Sequence, residues 1–389
     1  MNEKPKKGFV WLLALGVFGI INTEMGIIGI LPEVAAQFSL SIVQAGYLVS
    51  FFALGVAIAG PLMPPLFAAV PRKRVMFFVL GMFLVSNIVS LLTTNFTVML
   101  IARVIPAFFH PVYCAMAFSL AASTAEKGKE TQAVAKVFMG VSAGMVVGVP
   151  ISNFLASMLS LSIAFGFFAA VNALALLGTI FLVPNLPGEK RVAYGAQLGV
   201  LKHGRVLSAI LAVILMNGAV FGAFNYLAEY IAEVTHLTGS AASALLFAYG
   251  VMNIVGSAIA GKLLAKHPQR TVVLYLLGIG FIYLLLSFTG HVPLLMVILT
   301  VLWGILGGIN GNVTQYWLSH AVAEFPDFAN GLFLTAANLG TVAGTMVGGV
   351  IIDALGIRFM GLVGILFALG AGLVIIWEVR AGKKEIVTV

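Results

Sequence analysis

The stretch from Phe9 to Leu31 reads FVWLLALGVFGIINTEMGIIGIL, and Glu24 is its only charged side chain. As a helix rising 1.5 Å per residue it would extend ~35 Å, enough to cross the ~30 Å hydrocarbon core of a bilayer. Lys4, Lys6 and Lys7 precede it, as basic residues precede a secretory signal. The run is too long for a signal's apolar core, carries an acid, and continues into Leu31-Pro32-Glu33 instead of a small-residue cleavage site. It therefore reads as a mature membrane-crossing helix. Further apolar runs follow at 43–66, 74–92, 96–120, 133–157 and 161–183, then at 206–231, 241–264, 271–289, 294–319, 328–352 and 358–378. The pattern predicts an all-α integral membrane protein with twelve spans in two sets of six.

Composition agrees. The 389 residues are 61% hydrophobic and only 9% charged, against roughly 25% charged in soluble domains, so the chain cannot cover a water-facing surface. The single Cys114 excludes an internal disulfide framework and any multi-cysteine metal site. The six histidines show no metal-ligand spacing, and no metal is expected. The formal charge of +8 raises nucleic-acid binding, which requires Lys and Arg clustered on a soluble face. Instead, with both termini placed in the cytoplasm, 19 of the 21 Lys and Arg residues fall in inside segments, leaving Arg358 outside and Arg103 within a span. That is the positive-inside pattern, with anionic lipid as its counterpart. It predicts a multi-pass protein of the cell membrane with both termini cytoplasmic and no nucleic-acid partner.

The halves repeat. Ile30-Leu31-Pro32-Glu33-Val34 resembles Tyr230-Ile231-Ala232-Glu233-Val234, Gly55 and Gly60 recur as Gly256 and Gly261, and Pro71-Arg72 is echoed in Pro268-Gln269-Arg270. Parallel six-helix repeats joined by a cytoplasmic linker are a transporter architecture, with the substrate site near the midplane between halves. The domains expected are an N-terminal bundle at 1–183, a linker at 184–205 opening on Pro184 and Pro187, and a C-terminal bundle at 206–389.

The glycines at Gly140, Gly144 and Gly148 share one helical face that permits close backbone approach, and Pro150 permits a bend. With the intervening residues they resemble the glycine-proline signature of the fifth helix in antiporters of the major facilitator superfamily. Gly60 with Pro71-Arg72-Lys73-Arg74 is similar to that family's motif A, without its usual central acid, although a topogenic cluster would look the same. Arg103 followed by His110-Pro111 resembles motif B and its continuation, and the stretch from Asn330-Gly331-Leu332 to Gly348-Gly349 resembles the eleventh helix. The resemblance covers the whole chain and lies nearest the twelve-helix drug:proton antiporters, among them bacterial arabinose/sugar and purine efflux proteins. It implies the major facilitator fold and proton-driven export of a small molecule such as a sugar, purine or drug.

Ionisable groups inside spans cost at least ~2.5–3.5 kcal/mol each and so invite a functional reading. Counted from the outer ends of their predicted spans, Glu24 and Arg103 sit at matching depth, roughly 10 Å in. A guanidinium favours the carboxylate form of a neighbouring acid and a closing apolar cavity favours the neutral acid, so their balance could couple proton release to substrate binding. The alternative is a static Glu24–Arg103 ion pair. His110, two turns from Arg103 on the same helical face, is the third proton-coupling candidate, or a histidine satisfied by its neighbours. Glu229, near the outer end of the seventh span, reads as an interfacial carboxylate, with a proton site as the alternative. Asn217, Asn225, Asn310 and Asn338, with Tyr113, are the substrate-binding candidates, because amides recognise neutral polar ligands without demanding charge. Inter-helix glue would look identical.

Gly60, Arg72, Arg74, Gly140, Gly144, Gly148 and Pro150 form the expected conformational motifs. No nucleotide-binding Gly-Lys-Ser/Thr loop is present, so the proton gradient is the expected drive, no cofactor is expected and the chain is not expected to be an enzyme. A monomer acting by alternating access is the expectation. A proton-coupled importer of the same fold and a non-transporting membrane sensor are the rivals.

Overall fold

Leucine, isoleucine, valine and phenylalanine runs satisfy lipid only when their backbone polar groups are bonded internally, which is why the chain is helical throughout its apolar stretches. The computed structural model describes residues 8–40, 42–185, 187–188, 199–237 and 239–387. Among these, twelve segments are long and apolar enough to cross a bilayer: α1 (Phe9–Gln37), α2 (Tyr47–Phe67), α3 (Arg72–Leu92), α4 (Phe96–Thr124), α5 (Glu130–Met158), α6 (Leu161–Leu182), α7 (Gly204–Glu233), α8 (Ala241–Lys266), α9 (Pro268–Thr289), α10 (Pro293–Ala321), α11 (Pro326–Leu355) and α12 (Ile357–Glu378). Lys4, Lys6, Lys7, Lys190 and Arg191 lie outside the described residues, as does the middle of the expected 184–205 linker. Helix α7 begins at Gly204, two residues before the predicted 206, after a 3-10 turn at Val200–Lys202.

The chain divides into two compact units, Met1–Tyr194 and Gly195–Val389. In the first, α1 packs on α5 and α6, α2 on α4, and α3 on α6. The second uses the same pairings: α7 on α11 and α12, α8 on α10, and α9 on α12. Repetition therefore extends from sequence to packing.

The predicted glycine face of α5 lies against α1. A Cβ added at Gly140 would stand 2.3 Å from the Ala14 carbonyl oxygen, one at Gly144 2.7 Å from Ile21 Cγ2, and one at Gly148 2.3 Å from Asn22 Oδ1. Two hundred residues on, Gly340, Gly344 and Gly348 of α11 meet α7 in the same way, at 2.3 Å from Ile214 O, 2.5 Å from Gly218 O and 2.7 Å from Gly222 O. The C-terminal triad carries the same constraint as the α5 signature, and the two-hundred-residue offset already present in the sequence would have located it.

Several spans are interrupted where sequence reading assumed continuity. The first span does not end at Leu31. Helix Phe9–Gly26 tightens into a 3-10 turn, Ile27–Ile30, and resumes at Leu31–Gln37. Pro32 sits in the first turn of that last helix, where a missing amide costs nothing. Glu24 thus lies thirteen residues from the end of α1 at Gln37, about 20 Å along the axis and deeper than the ~10 Å expected. In α4 the helix Phe96–Ala107 stops, and a new one starts at His110 with Pro111 in its first turn. The premise that His110 and Arg103 share a face of one continuous helix therefore fails. Helix α5 breaks at Val147, before Pro150, and α7 breaks at Asn225-Tyr226 between Gly204–Phe224 and Leu227–Glu233.

Because Gly140 and Gly340 each meet a backbone carbonyl that cannot retreat, Gly140→Ala and Gly340→Ala should each destabilise the protein by about 1–3 kcal/mol. Gly81→Ala, with nothing within 4 Å of the added carbon, should leave the thermal unfolding midpoint unchanged or raise it. Thermal denaturation of the three purified variants makes the comparison.

Candidate functional site

The break in α1 exposes a carbonyl. The Ile27 amide points to Met25 O rather than to Thr23 O, its partner in a regular helix. Arg103 Nη2 donates to Thr23 O at 2.7 Å. Among the described residues its Nε and Nη1 find no hydrogen-bond partner, though the residue is only 1% exposed. The guanidinium lies over the Phe52 ring, 5.9 Å from its centroid. Thr23 anchors a wider network as well. Its Oγ1 donates to Gly19 O at 2.9 Å and accepts from Asn87 Nδ2 of α3 and Asn172 Nδ2 of α6, both at 3.0 Å. Asn172 Nδ2 also reaches Phe168 O at 2.9 Å. One threonine thus ties α1 to α3, α4 and α6.

Beside this anchor, Glu24 Oε2 stands 3.2 Å from His110 Nε2. The carboxylate side chain is 11% exposed and the imidazole 4%. His110 Nε2 is also 3.8 Å from Cys114 Sγ, and its ring meets Phe52 edge-on at 6.2 Å between centroids. The three proton-coupling candidates therefore gather in one place, but not as expected. The partner of Glu24 is His110, while Arg103 is engaged with backbone, so the static Glu24–Arg103 pair is replaced by a carboxylate–imidazole pair with a guanidinium held alongside. Among the described residues no group of three or more His, Cys, Asp or Glu side chains is arranged to hold a metal ion.

The substrate candidates are dispersed. Asn310 Nδ2 donates to Asn217 Oδ1 at 3.2 Å, and Tyr275 Oη donates to Asn310 Oδ1 at 2.7 Å, forming a buried chain across α7, α10 and α9. Asn225 is exposed and donates to Thr345 Oγ1 at 2.6 Å, while Tyr226 Oη reaches Thr345 O at 2.9 Å. These two bonds secure the break in α7. Asn338 donates to Leu334 O of its own helix at 2.8 Å. Tyr113 is fully buried over Gly16. Glu229 is exposed. Of the motif residues, Gly60 and Arg72 are buried, Arg74 and Pro150 are exposed, and Lys73 Nζ donates to Ile180 O of α6 at 2.8 Å.

Sequence reasoning missed Thr23, Asn87 and Asn172. The signal was present: each asparagine is the sole one in its span, and an amide in an apolar helix needs partners. It also missed an asymmetry. Two hundred residues after Glu24, Arg103 and His110 stand Phe224, Trp303 and Asn310. Phe224 stacks on Tyr249 at 4.5 Å, and Trp303 meets Tyr249 at 5.5 Å and Tyr283 at 5.3 Å. Where the first unit carries ionisable groups, the second carries aromatics and an amide.

Twelve spans in two like-packed units are the architecture of a polytopic membrane transporter. The Major Facilitator Superfamily model matches residues 13–229 and 210–388, and the chain belongs to that family. It is 29% identical over 378 residues to the inner membrane transport protein YdhP of Escherichia coli K12, covering 97% of this chain and 96% of that one. It is 26% identical over 357 residues to a probable sugar efflux transporter of Helicobacter pylori strain P12, covering 91% of each. The solved structure of the major facilitator transporter FucP in its outward conformation has a similar fold, with a TM-score of 0.78 at 18% identity, covering 95% of this chain and 98% of that chain.

Thr23→Val keeps the shape but leaves the Asn87 and Asn172 amides without their shared acceptor, at an expected cost of about 1–3 kcal/mol. Thr23→Ser should recover most of it. The thermal midpoints of both variants, measured side by side in detergent, test the network.

Proposed function

We propose that this transporter is an antiporter: protons moving inward drive export of a small, neutral, hydroxyl-bearing molecule of the sugar class through alternating access of the two six-helix units. The observation that carries the proposal is the Glu24–His110 pair, 3.2 Å apart and nearly buried. A carboxylate and an imidazole in contact hold a proton that either can carry, and the neighbouring guanidinium of Arg103, which does not deprotonate, biases which form is favoured. Arrival of a proton from outside and its departure inside would reset the pair once per cycle. The substrate would be recognised in the second unit, where amides and aromatics replace the ionisable groups. Sugar is favoured over purine or drug because several relatives are named probable sugar efflux transporters.

The same proposal includes both termini in the cytoplasm, from the 19 cations on inside segments, residence in the bacterial inner membrane, and a monomer needing no cofactor beyond the proton gradient. An importer coupled to protons is the second reading, and a solved structure of similar fold, described as the E. coli fucose:proton symporter, supports it.

Everted membrane vesicles with an acid interior separate the two. Adding the exported solute should discharge the interior acidity of vesicles containing the wild-type protein, whereas a symporter presented with solute on that face would carry protons inward. Glu24→Gln should abolish the substrate-dependent proton signal while the protein remains folded. Normal proton-coupled accumulation by Glu24→Gln would overturn the assignment.

A further inference from the structure

Only part of the Arg72-Lys73-Arg74 run is used inside the bundle. Lys73 is tied to α6 and Arg72 is buried, but Arg74 is exposed. From Arg74 the positions 78, 81 and 85 continue along one face of α3 at helical spacing, and Phe78, Gly81 and Val85 line a cavity of about 610 Å³ between α3 and α4. Its opposite wall includes Val98, Ile101 and Ile105 of α4. The lining is apolar except for the Ser86 hydroxyl. Phe77, Val85 and Ile101 are each more than half exposed, at 52%, 60% and 55%, so the cavity opens sideways from the unit at membrane depth. Along α3 it extends from Phe77 to Val89, about 18 Å, close to the ~15 Å half-thickness of a hydrocarbon core that one acyl chain covers. Phe78 is braced by Phe109 at 5.2 Å and by Phe67 at 6.2 Å between ring centroids, so this end of the groove is preformed.

We propose that the groove is a binding site for one anionic phospholipid, with an acyl chain lying between α3 and α4 and its phosphate held by Arg74. Charge complementarity selects this occupant. Arg74 lies one helical turn beyond the apolar lining, where a headgroup follows its chain, and neither α3 nor α4 contains an aspartate or glutamate to repel it. A guanidinium presents paired donors to phosphate oxygens. The site does not depend on the direction of transport or on Glu24, because it needs only that α3 crosses the bilayer.

Gly81 supplies the decisive variant. A Cβ there meets nothing within 4 Å, so Gly81→Trp sends an indole into the groove from a backbone position that accepts a side chain. The full-length protein in detergent would be incubated with phosphatidylglycerol and phosphatidylcholine of matched chains, and retained lipid would be counted by native mass spectrometry. The wild type should retain one phosphatidylglycerol in preference to phosphatidylcholine by about fivefold, the factor expected for one cation at a lipid surface. Arg74→Gln should bring the two lipids to parity, and Gly81→Trp should remove the bound lipid. Leu373→Trp, at a position 70% exposed on α12, should behave as wild type. Gly81→Leu serves if the tryptophan variant is not monodisperse. Equal retention of both lipids by the wild type, an unchanged preference in Arg74→Gln, full retention by both Gly81 variants, or equal loss in Leu373→Trp would each overturn the proposal.

Discussion

A backbone carbonyl that loses its helical partner inside a bilayer has no water to turn to, and Thr23 O is such a carbonyl. The 3-10 turn at Ile27–Ile30 redirects the amide that would have bonded it, and Arg103 takes the vacant place at 2.7 Å. Much of the first unit's chemistry follows from that bond. It draws a guanidinium to α1, beside Glu24, without pairing the two. The carboxylate is left to His110, which a second interruption in α4 turns toward it. The Thr23 hydroxyl then gathers Asn87 and Asn172, so the helices that border the pair are locked to the residue preceding Glu24.

The two units solve the same packing problem with the same geometry. Glycines spaced four apart let α5 approach α1 and α11 approach α7 until backbone meets backbone. In lipid there is little hydrophobic gain from joining helices, so van der Waals contact over such faces supplies much of the attraction. The first helix of each tightly packed pair, α1 and α7, is also broken, and the two breaks are held differently. Asn153 Nδ2 of α5 donates to Gly29 O at the α1 break at 2.8 Å, whereas Thr345 of α11 receives Asn225 and Tyr226 at the α7 break. A shared scaffold has acquired distinct local chemistry, just as the ionisable trio of one unit corresponds to aromatics and an amide in the other.

The proposed division of labour between proton coupling and solute recognition rests on that divergence. A repeat whose halves both carried charge would bear the cost of burying ions twice. At these equivalent positions that cost falls on the unit where carboxylate, imidazole and guanidinium lie together, and the second unit holds aromatics and an amide there. Asn217 and Asn310 are already bonded to each other and to Tyr275, so a ligand engaging them would have to replace those bonds. Asn225, exposed at its helix break, is the amide of this set most open to a ligand.

Span number, repeat and the residues worth suspecting were legible in the sequence, because exclusion of water acts on composition and period alone. Length and hydropathy suffice to count helices, and a charge within an apolar run is conspicuous wherever it folds. The α5 glycine face was legible for the same reason, since helical periodicity is local. Partners were not. Glu24 was matched with Arg103 by depth along assumed straight helices, but 3-10 turns and proline-bounded interruptions shift both depth and facing by amounts that no periodicity encodes. Nor could sequence show that Thr23, the neighbour of the conspicuous acid, holds the network, since a hydroxyl in an apolar run is satisfied by its own helix as readily as by two others. The chain's letters determined which groups had to be buried. Only the tertiary structure decided which of them would meet, because that depends on where each helix breaks and which carbonyl the break sets free.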